Sequence, residues 1–170
     1  MKNTFRNTLL TALLVAALPA HAAIQNYSLN GTLDSGILAA ETFSGLLSFD
    51  DAALTGAGTE WVNVSSFSAS FHGVTYSVLD ADLTPEVGFE NGTFLGLSAS
   101  FSSGDPQFSF IAGSIDSSDA FVAYDTGLGN SGAGSVVYAP VPEPETYAMM
   151  LAGLGLLGLA ARRRKQSQAS

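Results

Sequence analysis

The chain contains no cysteine. No disulfide can staple its fold, whatever the redox state of its compartment. Basic residues are also missing from most of its length. All six Lys and Arg lie near the two ends, as Lys2, Arg6, Arg162, Arg163, Arg164 and Lys165. From Ala23 to Val141, only His72 could carry a positive charge. The same stretch holds Asp34, Glu41, Asp50, Asp51, Glu60, Asp80, Asp82, Glu86, Glu90, Asp105, Asp116, Asp119 and Asp125. No Lys or Arg is there to pair with these acids. Nucleic acid and anionic lipid are disfavoured as partners, because both require cationic side chains. An acidic polysaccharide would be repelled unless a divalent cation bridged it. The net charge of −9 suits a secreted domain kept soluble and apart from its neighbours.

What is present begins with the ends. Lys2 and Arg6 form a positive n-region, and Leu9 to Leu18 form an apolar run too short to span a membrane. Pro19 breaks that run. Ala20 and Ala22 place small residues at the two signal-peptidase positions, so residues 1–22 read as a secretory signal peptide cut before Ala23. Signal peptidase is the partner this implies.

The C-terminal end has three parts in order. Val141-Pro142-Glu143-Pro144-Glu145 is extended and acidic, because proline fixes φ and biases the preceding residue away from helix. Thr146 to Ala161 carries no charge. As a helix it would reach about 24 Å, somewhat short of a bilayer core of about 30 Å. Flanking side chains and bilayer thinning can close that gap. Arg162, Arg163, Arg164 and Lys165 form a basic stop cluster, which would stay cytoplasmic. The expectation is one transmembrane helix over 146–161, seated in the inner membrane, with 166–170 as a short polar tail.

Pro142, Glu143 and Pro144, the Gly/Leu run and the terminal Arg-Arg-Arg-Lys together resemble the PEP-CTERM protein-sorting signal over residues 141–165. The resemblance implies recognition by exosortase, a membrane-embedded cysteine transpeptidase or protease of Gram-negative bacteria. Pro142, Glu143 and Pro144 would be its recognition residues, with cleavage near them. It further implies a route through the inner membrane to the cell surface or extracellular matrix, and an association with exopolysaccharide and biofilm. Tails of this type also occur on proteins called ice-binding. An ice face wants a regular threonine array, and the threonines here are scattered.

Residues 23–140 form the exported body. It is rich in Gly, Ser, Thr, Phe and Val and poor in strong helix formers, which favours strands and turns. Its hydrophobic period is two. Tyr27, Leu29 and Leu33 share a face, as do Phe43, Leu47 and Phe49. Phe67, Ala69 and Phe71 alternate with serines, whereas Val62 and Val64 have the opposite parity, which predicts a bulge near Ser65-Ser66. Val74, Tyr76 and Val78 follow a turn at His72-Gly73. Asn91-Gly92 predicts a two-residue hairpin. Thr93, Leu95, Leu97, Ala99 and Phe101 are expected on one face, then Phe108, Phe110 and Ala112. Phe121–Tyr124 and Ser135–Tyr138 would complete the set, joined by a flexible loop over 127–134. Short strands every eight to twelve residues predict a single all-β antiparallel β-sandwich, with a small barrel as the alternative.

Candidate chemistry is sparse. His72 is the one histidine left after signal cleavage, and no Gly-x-Ser-x-Gly elbow surrounds any serine. Zinc lacks ligands. Asp50-Asp51, Asp80-x-Asp82 and Asp116-x-x-Asp119 are the best calcium candidates, though aspartate is equally at home in turns. Asn26, Asn30, Asn63 and Asn91 fit the N-glycosylation pattern, and Asn-Gly turns explain two of them. The reading is therefore a non-enzymatic envelope or matrix protein without cofactor. Its alternative is a carbohydrate- or calcium-binding surface module on a plain membrane anchor. Exposed aromatics such as Trp61 or Tyr124 would favour that alternative.

Overall fold

The computed structural model describes residues 24–127, 129–142, 147 and 150–158. The signal peptide, with Ala20, Ala22 and Ala23, lies outside these residues, as do Glu143, Pro144, the basic cluster 162–165 and the polar tail.

The body is a run of strands: β1 (Ile24–Leu33), β2 (Thr42–Asp50), β3 (Thr59–Phe71), β4 (Val74–Ser77), β5 (Glu86–Glu90), β6 (Thr93–Phe101), β7 (Gln107–Ile111), β8 (Phe121–Asp125) and β9 (Ser131–Pro140). All neighbouring pairs are antiparallel. The order β2-β1-β9-β8-β7-β6-β5-β3 closes through a β2–β3 pairing. The expected sandwich is therefore corrected to a closed eight-stranded barrel. The long strand β3 makes the closure. Its first half, Thr59–Asn63, pairs with β5, and its second half pairs with β2 from Val64 to Phe71. The short strand β4 lines the other edge of that second half, outside the eight.

The switch of partner along β3 coincides with the predicted bulge. Ser48 pairs with Ser66, while Phe49 pairs with Val64, leaving Ser65 as the extra residue. One extra residue inverts the inward parity from Val62 and Val64 to Phe67, Ala69 and Phe71. A second irregularity, in β6, is not visible in the alternation. Gly88 faces Gly96 but Phe89 faces Phe94, so Leu95 is the extra residue. Phe94 joins the core and stacks on Tyr27 at 4.7 Å, while Leu95 is buried apart from it. The expectation that Thr93 and Leu95 share the face of Leu97 is corrected at this bulge.

The Asn91-Gly92 hairpin forms as expected, and the expected turn at His72-Gly73 is a two-residue hairpin as well. His72 and Gly73 have φ of 49° and 76°, and Asn91 and Gly92 have 48° and 80°. Two consecutive positive φ values match the strand twist.

The interior is aromatic. Phe43, Phe71, Phe108 and Phe110 form edge and stacked contacts, with Phe71 and Phe108 at 4.7 Å. Gly31 makes room for this cluster: a Cβ there would lie 2.1 Å from Phe43 Cζ. Strand β9 starts at Ser131, so residues 131–134 are strand and not the expected loop. Gly134 permits this, because a Cβ would meet the Thr32 carbonyl at 2.3 Å.

Candidate functional site

Strand β9 leads from the core to the sorting tail. Its last core residues are Val136 and the partly buried Tyr138, whose hydroxyl accepts the Leu97 N–H at 3.2 Å. Burial pushes the Tyr138 phenol well above its ordinary range. Pairing with β1 continues to Tyr27 opposite Pro140, and the Val141 N–H then donates to the Asn26 carbonyl at 2.7 Å. Val141 and Pro142 are exposed. The motif therefore starts where the sheet stops.

Beyond it, Tyr147 and residues 150–158 are helical, and all are exposed. No helix among the described residues is long and apolar enough to cross a membrane. The expected transmembrane helix over 146–161 is corrected for the described residues; residues 146, 148, 149 and 159–161 of it lie outside them.

Inside the body, His72 sits in the β3–β4 turn with its Nδ1 2.7 Å from Glu41 Oε2. Both side chains are partly exposed, and they tie the β1–β2 connection to the turn. Beside them lies an open concavity of about 650 Å³ on the outer wall, whose polar lining includes Asn30, Thr32, Thr42, Ser44, Ser70 and Ser135. The structure thus brings His72 to an acid and near hydroxyls. Its ring nitrogen bonds Glu41, and among the described residues no serine or threonine is placed as a nucleophile activated by it.

The aspartates accept hydrogen bonds from within their own loops or, for Asp51 and Asp82, from Gln25 and Ser102 in other segments. Asp119 Oδ2 accepts the Ser114 N–H at 2.9 Å and its hydroxyl at 2.8 Å, and Oδ1 accepts the Asp116 N–H at 3.3 Å. Donation from the Ser114 backbone and hydroxyl lowers the Asp119 carboxyl to about 2. Ser118 similarly lowers Asp116, and Ser77 lowers Asp80. Asp82 accepts from Ser102, Asp50 from the Ala52 N–H and Asp51 from Gln25. Among the described residues no three His, Cys, Asp or Glu side chains group as metal ligands.

Of the two aromatics singled out, Tyr124 is buried at 3 % exposure, whereas Trp61 is 47 % exposed. Trp61 pairs with Gly88 across β3 and β5 and covers it, with Cζ3 2.9 Å from where a Cβ would stand.

Comparison with known families gives a match at the C-terminal end. Residues 140–165 carry the PEP-CTERM protein-sorting motif. That motif implies an exported protein that is membrane-anchored and then cleaved, with an exosortase-type processing enzyme as partner. The match begins at Pro140, the last residue of β9. No curated protein and no solved structure matches the chain. The motif was legible as a linear pattern. The strand before it, expected over Ser135–Tyr138, was legible too; its earlier start at Ser131 was not, because Ser131 to Gly134 has loop composition.

Proposed function

We propose that the chain is a non-enzymatic matrix protein whose folded product is the barrel itself. After signal peptidase removes residues 1–22, the exosortase-type system removes the tail and leaves the barrel at the surface of a Gram-negative cell or in its exopolysaccharide. The observation that carries this reading is the junction at Pro140–Pro142. Every core residue lies upstream of it, so removing the motif takes no side chain from the core. The uniformly acidic, cation-free body suits a neutral polysaccharide matrix better than an anionic surface.

The test is the intact mass and location of the mature protein in its host, beside a Pro142→Ala/Pro144→Ala variant. Loss of both ends by the native chain, with the variant retaining residues 146–170, supports the reading. Retention of the tail by both would reduce it to a plain anchor.

A second reading, a carbohydrate-binding surface module, is favoured by one feature: the half-exposed indole of Trp61 on the flat patch over Gly88. Binding of neutral oligosaccharides that quenches Trp61 fluorescence would support it. Calcium binding gains no comparable support, since the aspartates already accept hydrogen bonds from protein donors.

A further inference from the structure

The barrel's connectivity fixes which end carries the tail. Strand β1 begins and β9 finishes at the same end, on adjacent strands, with Asn26 bridged to Val141. Strand directions place the 51–58 connection, the Asn91-Gly92 turn and the 112–120 connection at that end too. The first two of these segments are tied to one another. The Asn91 N–H donates to the Gly58 carbonyl at 2.8 Å, and Asn91 Oδ1 accepts the Gly58 N–H at 2.9 Å. The 51–58 connection is itself held by Glu60, which accepts from the Thr55 and Gly56 amides at 2.8 Å. The tail therefore leaves a braced rim rather than a loose one.

Two covalent limits follow. From Pro140 to Pro142 is two residues, at most about 7 Å of chain. From Pro140 to Tyr147 is seven, at most about 25 Å. A processing enzyme grips several residues on each side of the bond it cuts. Upstream of Pro142 those residues are Val141, Pro140 and Ala139. Pro140 and Ala139 are in register with Tyr27 and Ser28, and Val141 donates to Asn26. Ser28 Oγ also donates to the Ala139 carbonyl at 3.3 Å.

We infer that the Asn26–Val141 bridge is a restraint on tail removal. It holds the upstream side of the motif in the sheet, closes the bonds before Val141 to the processing enzyme, and brings that enzyme against the barrel rim. Cutting then falls at or beyond the Val141–Pro142 bond, and it waits on fraying of the last β9 hydrogen bond.

The test inserts four neutral Gly/Ser residues between Val141 and Pro142 in the full chain, expressed in its host. A control chain carries the same insertion after Thr126, at the opposite end of the barrel. Pulse-chase gives the rate of tail loss, thermal melting gives barrel integrity, and intact mass gives the mature C-terminus. The insertion at 141/142 should speed tail loss about fivefold, the factor that one terminal backbone hydrogen bond is worth. The control should keep the native rate. An unchanged or slower rate at 141/142 with an unchanged melt overturns the inference. So does a native C-terminus at Pro140 or earlier, a measurement that needs no variant to fold. Failure of the Pro142→Ala/Pro144→Ala variant to block processing would count against those prolines as recognition residues, and leaves the restraint to be judged on the insertion and the native C-terminus.

Discussion

The hydroxyl of Tyr124 accepts the Leu38 N–H at 2.8 Å and donates to the Ser35 carbonyl at 3.1 Å. One side chain from β8 thereby satisfies two backbone groups of the β1–β2 connection. Tyr124→Phe keeps the ring in the core and removes both partners. Leaving backbone groups unpaired in a partly buried site costs about 1–3 kcal/mol. Chemical denaturation should show a loss in that range. Hydrogen exchange should accelerate at Leu38 more than at Phe108.

Phe71 packs on Phe108 at 4.7 Å and on Phe43 at 6.4 Å, and is 1 % exposed. Phe71→Ala should cost about 3–5 kcal/mol, because surrounding rings cannot collapse fully into the cavity. That is a large share of the roughly 5–15 kcal/mol that stabilises an ordinary domain. Urea unfolding of the tail-free barrel measures it.

Two glycines give opposite expectations for one methyl group. At Gly31 a Cβ would meet Phe43 Cζ at 2.1 Å and the Ser135 carbonyl at 2.3 Å, one locked in the core and the other backbone. At Gly88 it would meet the Trp61 ring at 2.9 Å, and that ring is half exposed and free to swing outward. Gly31→Ala should therefore destabilise by about 1–3 kcal/mol or more. Gly88→Ala should melt near the native temperature and shift Trp61 emission to the red. A native-like melt for Gly31→Ala would contradict the packing described around Phe43.

Asp119 gives a pH dependence confined to one loop. Its folded-state carboxyl is lowered from 3.8 to about 2, first by the Ser114 backbone and hydroxyl donors. A depressed folded value means the ionised form is preferred in the fold. Its contribution is complete well above pH 3.8, declines as the pH falls below that value, and is gone below about 2. The protection of the Ser114 and Asp116 amides relative to intrinsic exchange should fall across this acid window and stay flat from pH 5 to 8. Asp119→Asn should remove that pH dependence.

Several features were readable before any fold was in view. The His72-Gly73 and Asn91-Gly92 turns followed from residue chemistry, because few side chains tolerate two positive φ values in succession. The Ser65 bulge followed from a parity break between Val64 and Phe67. The matching break at Leu95 was hidden, because Leu95 and its neighbours Phe94 and Leu97 are all apolar, and alternation cannot register a slip among apolar residues. The start of β9 was hidden because Ser131 to Gly134 has loop composition. Those glycines are in the strand because neighbouring carbonyls approach too closely for a side chain.

By itself the sequence determined the address and the local grammar: a PEP-CTERM motif over 140–165, strands of period two, and the turns between them. These are local properties, set by side chains within a few residues of one another. Whether the strands stack as two sheets or close into one was decided by the tertiary structure alone. Both arrangements bury one face of every strand, so the same alternation serves either. Closure depends on β3 exchanging β5 for β2 partway along its length, a choice made by hydrogen bonds between segments far apart in the chain. The same long-range pairing, Asn26 with Val141, determines where the barrel ends and the sorting motif begins.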